Sequence, residues 1–138
     1  MSLITESQRG EAYVSEIKVQ NRVVDKNLVI IEIAGEANRD NAATLINVIN
    51  QAFNSEFSII AVDFSKTEYL CIEGLGALVC AHKRRLAEAS HRQVYFCILK
   101  ENLPVSIRKR LNVTGLYRII DIVEYRDLLS RRASLDQS

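Results

Sequence analysis

The chain has 138 residues, with 18 lysines and arginines against 17 acidic residues. Its net charge of +1 gives no field that would argue for nucleic acid or an acidic partner. At 48% hydrophobic and 25% charged it has the composition of one soluble globular domain with a sizeable core, and no apolar run approaches the roughly 20 residues of a membrane span.

Residues 1–11 are polar and aperiodic and are expected to form a flexible amino-terminal segment, without the basic region and apolar core of a secretory signal. The expected compartment is therefore the cytoplasm. From Tyr13 to Gln20 apolar and polar side chains alternate, which predicts a half-buried strand. Asp25-Lys26-Asn27 is a turn signal, and Leu28 to Ala34 follows as a central strand antiparallel to the first. Gly35 to Asn41 reads as a loop with helix-capping residues. The next helix places Ala42, Leu45, Ile46, Ile49, Ala52 and Phe53 on one face. Ser58 to Phe64 is apolar enough for a strand buried from both sides.

A second helix is expected over Gly74–Ala89, with Leu75, Leu78, Val79, His82 and Leu86 inward and Lys83, Arg84, Arg85 and Glu88 outward. Gln93 to Leu99 is a fourth strand. A third helix starts near Glu101 or Asn102, with Pro104 in its first turn, and ends before Gly115. Ile119 to Val123 is the last strand, Tyr125 to Arg132 a closing helix with Leu128 and Leu129 inward, and 133–138 a flexible tail. Strands alternating with helices predict an α/β domain over 12–132: a mostly parallel sheet, one antiparallel edge strand and about four packed helices.

The stretch between Asp63 and Val79 organises the rest. Residues 65–73 are expected as a loop joining a strand's carboxyl end to a helix's amino end, where open α/β sheets meet their ligands. The unpaired amides of the helix start favour an acceptor or anion there.

Four segments in register carry a family resemblance: Gly35-Glu36-Ala37-Asn38, Asp63-Phe64-Ser65, Gly74-Leu75-Gly76-Ala77-Leu78 with Lys83-Arg84, and Leu111-Asn112-Val113-Thr114-Gly115-Leu116. Together, from about Tyr13 to Leu129, the chain resembles the STAS family, the domain of bacterial anti-sigma factor antagonists and of sulfate-transporter tails. The resemblance implies a non-catalytic partner-switching module of transcription regulation. It would dock on an anti-sigma factor or serine kinase-like protein, without nucleic acid, cofactor or membrane insertion, and could form a weak homodimer. In regulatory members the loop reads Asp-Ser-Ser-Gly or Asp-Ser-Thr-Gly and its first hydroxyl residue accepts phosphate. Here the same positions read Cys71-Ile72-Glu73-Gly74. Ile72 has no nucleophilic atom, so the aligned switch is lost.

The partner-binding residues implied are Asn38, Ser65, Thr67, Tyr69, Leu70, Cys71, Ile72, Glu73, Gly74 and Leu75. Tyr69, Leu70 and Ile72 are the expected apolar anchors. Glu73 is either a helix-start carboxylate, stabilised by about 0.3–1 kcal/mol, or a fixed negative charge where relatives gain phosphate. Cys71 is either an inert, partly buried thiol or one activated by the helix start. Cys80 and Cys97 are expected as small core residues, since the three cysteines fit neither a zinc site nor a disulfide framework. Ser65 and Thr67 are alternative phosphorylation sites or turn formers. His82 and His91 are too separated for a metal site. Lys83-Arg84-Arg85 and Arg108-Lys109-Arg110 are expected as solvated faces or partner contacts. Arg131-Arg132-Ala133-Ser134-Leu135 matches a serine-kinase signature.

Two other readings stand beside the first. One is a structural subunit of a transporter or stressosome-type assembly. The other is a receiver using Asp63 as phosphoacceptor. A receiver also needs an acidic pair after its first strand, where this chain has Val19-Gln20-Asn21.

Overall fold

The alternating segment and the continuous apolar segment pair as a hairpin. β1 (Ile17–Val23) lies antiparallel to β2 (Leu28–Ala37), from Ile17 opposite Gly35 to Val23 opposite Val29. Asp25 makes the turn: its Oδ1 accepts the amides of Asn27 at 2.8 Å and Leu28 at 3.0 Å. The computed structural model describes residues 17–136, so the part of this strand expected at 13–16 lies outside the described residues.

α1 (Ala42–Asn54) buries Ala42, Leu45, Ile49, Ala52 and Phe53, as their spacing predicts. β3 (Ile59–Leu70) pairs parallel with both β2 and β4 (Tyr95–Leu99), and β5 (Asp121–Val123) adds parallel to β4. The sheet order is β1-β2-β3-β4-β5, with the single antiparallel strand at one edge. With α2 (Ile72–Glu88), α3 (Val105–Thr114) and α4 (Tyr125–Asp136), this is the predicted α/β architecture.

The period-2 alternation of β2 and β3 divides the core between two sheet faces. Val29, Ile31, Ile33, Ile60, Val62 and Phe64 pack with Leu45 and Phe53 of α1, Leu78 of α2, and Ile107 and Leu111 of α3. On the other face Leu28, Ile30, Ile59, Ala61, Cys97 and Leu99 pack under Leu128 of α4. That cover ends where the strands turn polar, at Glu32 and Asp63.

Several boundaries differ from the sequence expectation for local reasons. Asn102 adopts a left-handed φ of 53°, which turns the chain before the third helix. Pro104 is consequently its N-cap and not a first-turn residue. Gly115, at φ 77°, ends α3 and leads into a 3-10 turn, Leu116–Arg118, so the last strand starts at Asp121 and not at Ile119. The closing helix continues past Arg132 to Asp136.

Two residues of α2 expected inside are outside: Leu86 and Cys80 are exposed. Arg84, expected on a solvated face, instead ties α2 to α1. Its guanidinium lies 5.0 Å from the Phe53 ring centre, donates to Asn50 Oδ1 at 3.0 Å and Asn54 Oδ1 at 2.5 Å, and pairs with Glu88 at 2.5 Å. Arg84 is the main reason the Glu88 carboxyl sits below its usual range.

Candidate functional site

β3 does not end at Phe64, and this reshapes the expected loop. Residues beyond Phe64 pair with the end of β2: Lys66 opposite Ala34, Thr67 opposite Gly35, Tyr69 opposite Glu36 and Leu70 opposite Ala37. Two register shifts, between Glu32 and Ala34 and between Gly35 and Glu36, let β3 carry extra residues there. Gly35 takes φ 95° between them, a conformation open to glycine. The expected loop over 65–73 therefore shrinks to Cys71, between strand and helix. Asp63 lies in mid-strand and not at a strand's carboxyl end, which removes the geometric basis of the receiver reading.

The extension decides which candidates reach the surface. Thr67 is 3% exposed, and its Oγ1 donates to the Ile33 carbonyl at 2.7 Å. It is a buried cross-strand tie and not an open hydroxyl. Leu70 is fully buried in the helix-side core, so it is not the expected surface anchor. Cys71, Gly74 and Leu75 are also buried. Cys71 is the N-cap of α2, its Sγ accepting the Gly74 amide at 3.3 Å. The capping role falls to Cys71 and not to Glu73, which lies exposed in the first turn.

What remains outward is Tyr69, 42% exposed, and Ile72, 75% exposed, with Glu73 beside them. The Arg110 guanidinium of α3 lies 5.0 Å from the Tyr69 ring centre and donates to its hydroxyl at 3.4 Å. The 38–41 turn borders the same place, because the Cys71 amide donates to the Ala37 carbonyl at 2.8 Å. Asn38 and Asn41 close that turn on each other: Asn38 Oδ1 accepts the Asn41 amide at 3.1 Å, and Asn41 Oδ1 accepts the Asn38 amide at 2.8 Å. The structure thus brings Asn38, Tyr69, Ile72 and Glu73 to one end of the molecule. Ser65 lies elsewhere, half-buried on the α4 side of the sheet, its amide held by Asp63 Oδ1 at 2.8 Å.

Two exposed apolar residues of α3 escaped the sequence reading. Val105 and Val113 are exposed on α3, the helix whose Arg110 covers Tyr69. They lie about 140° to either side of the buried Ile107–Leu111 stripe. An apolar side chain out of phase with its helix's buried face was the available signal.

The remaining candidates have structural occupations. His82 is half-buried; burial first, then the Arg85 charge, hold its imidazole below the usual value. His91 is exposed. Burial pushes the Cys97 thiol up to about 12, with Asp121 adding to the effect. In the basic motif of α4, Arg131 stacks 3.7 Å from the Tyr95 ring centre and Arg132 pairs with Asp25 at 3.0 Å, while Ser134 is exposed. Among the described residues no group of three His, Cys, Asp or Glu side chains could hold a metal ion, and no helix is long and apolar enough to cross a membrane.

No protein-family model matches the sequence, and no curated protein matches it. Solved structures do share its fold. An anti-sigma factor antagonist from Mycobacterium paratuberculosis is 18% identical, with TM-score 0.71, over 84% of this chain and 93% of its own. The anti-sigma factor antagonist SpoIIAA in its unphosphorylated form is 18% identical, with TM-score 0.64, over 85% of this chain and 97% of its own. The Bacillus cell fate determinant SpoIIAA in its phosphorylated form is 20% identical, with TM-score 0.58, over 83% of this chain and 98% of its own. The chain has the STAS fold that its sequence landmarks imply.

Proposed function

We propose that the chain is a non-catalytic, cytoplasmic protein-binding module that docks on an anti-sigma factor or a serine kinase-like protein. The surface comprises Tyr69, Ile72, Glu73 and the Asn38 turn, with Arg110 beside them. The observation that carries this reading is Ile72, a large apolar side chain 75% exposed at the start of α2. An isolated exposed apolar residue needs no explanation, but here Tyr69 joins it, and aromatic and aliphatic anchors beside an arginine suit an interface core. Ile72 offers no hydroxyl, so phosphate cannot switch this position as it does in regulatory relatives.

Affinity capture from the source cells tests the proposal. The unaltered chain is expected to retain a kinase of the ATP-binding anti-sigma type. Ile72→Lys should lower that capture roughly tenfold, the equivalent of one interface anchor, without moving the melting temperature. Equal capture by both chains would refute the surface. Ile72→Ser should create a kinase-dependent switch. Phosphate found on Ser65 in cells would refute an unswitched module. Fixed stoichiometric capture of transporter or scaffold subunits would assign the same surface to a structural assembly.

A further inference from the structure

Among the described residues, α4 covers the amino-terminal half of its sheet face and nothing covers the rest. On the open part lie two cavities of about 270 and 310 Å³ that share Asp63 and Ser65 as walls. They adjoin along Asp63 and Ser65, on the face opposite α1 and α2, and make a groove beside the end of β4 at Leu99.

The strand register gives the groove its chemistry. One row across β1, β2 and β3 runs Lys18, Ala34, Lys66. The next runs Gln20, Glu32, Asp63. The register shift opposite Ile33 inserts an extra residue in β3, which brings Ser65 and Lys66 into the same cavity as Asp63. In the first row a small alanine stands between two long cationic side chains. Neighbouring strands are about 4.8 Å apart, so the two lysine backbones stand about 10 Å apart, a span both side chains can close over one anionic group.

Occupancy within the two rows differs. Glu32 is already engaged, accepting Gln20 Nε2 at 2.9 Å and Arg22 Nε at 2.8 Å, and these two contacts hold its carboxyl below the usual range. Asp63 Oδ1 accepts the Ser65 amide, while Oδ2 has no hydrogen bond among the described residues. Neither Lys18 nor Lys66 has an ion-pair partner among the described residues. Two lysines therefore sit one row from a carboxylate oxygen, Asp63 Oδ2, that is open to a donor, with Lys66 also close enough to Glu32 to help hold its carboxyl low. A bare divalent cation would be repelled by the lysines, and a polyanion by Glu32, Asp63 and Glu101.

We propose that this groove binds a small zwitterionic metabolite. Lys18 and Lys66 hold its phosphate or carboxylate over Ala34, and Asp63 accepts a hydrogen bond from its amine. The site lies on different residues from the docking surface, so either assignment can fail without the other.

The test is a titration of the full chain with O-phospho-L-serine, followed by amide NMR, with inorganic phosphate as the matched control. Shifts should concentrate at residues 18–20, 32–34 and 63–66. Lys66→Ala and Lys18→Ala should each weaken binding roughly tenfold, one charge-assisted contact apiece. Asp63→Asn should weaken phosphoserine by a similar factor and leave phosphate unchanged. Ala34→Leu, which fills the floor, should abolish both. Lys18 stands on the exposed edge strand, so its truncation keeps the test valid if a β3 variant misfolds. Three results would overturn the proposal: no saturable shift at about 10 mM, well above the Kd of a weak small-ligand site; equal affinity for phosphate and phosphoserine; or shifts confined to Tyr69 and Ile72.

Discussion

Two glycines in α2 should respond oppositely to the same substitution. Glycine to alanine within a helix gains about 0.5–1 kcal/mol of backbone preference. At Gly76 no atom lies within 4 Å of the added Cβ, so that gain stands unopposed. At Gly74 the Cβ would stand 2.6 Å from Leu70 Cδ1 and 3.5 Å from Ala37 Cβ. Leu70 is fully buried and cannot swing into solvent. Overpacking of this kind costs about 1–3 kcal/mol. The expectation is Gly76→Ala more stable by roughly 1 kcal/mol and Gly74→Ala less stable by roughly 1 kcal/mol. The gap of about 2 kcal/mol corresponds to roughly 8 °C in Tm for a domain of this size. Urea denaturation of both variants, with unchanged m-values, measures it. Equal stabilisation by both would mean that the start of α2 does not press on β3 as described. The placement of Ile72 at the surface would then lose its basis.

Arg84→Lys keeps the charge but loses the planar fork that bridges Asn50, Asn54 and Glu88, and should lower stability by about 1 kcal/mol in the same assay. The His82 imidazole is held below its usual value, so near pH 6.5 the unfolded chain takes up a proton that the folded chain does not. Stability should therefore be full above that pH and fall as pH drops through the folded value. His82→Asn should flatten the stability profile in this window, whereas the carboxylates Glu32 and Glu88, held low, act in the more acidic range. A mild thiol reagent should modify Cys80 rapidly in the folded chain and reach Cys71 and Cys97 only after unfolding. Rapid modification of Cys71 would revive the activated-thiol reading.

The sequence alone determined the order of elements, the mostly parallel sheet with its antiparallel edge and the inward face of α1, because each rests on a local period of side-chain polarity. It also placed at position 72 an isoleucine, a side chain with no nucleophilic atom. Only the tertiary structure decided that residues 65–70 form a strand. The segment Ser65-Lys66-Thr67-Glu68-Tyr69-Leu70 has no clean alternation, since two register shifts break its period, and it is ordered by pairing with the far end of β2. That pairing buries Thr67 and Leu70 and leaves Tyr69 outside. It also sets Lys18, Ala34 and Lys66 in one row, though nearly fifty residues separate the two lysines in the chain. Such a row follows from backbone hydrogen bonds between distant segments, and no local pattern of side chains encodes it.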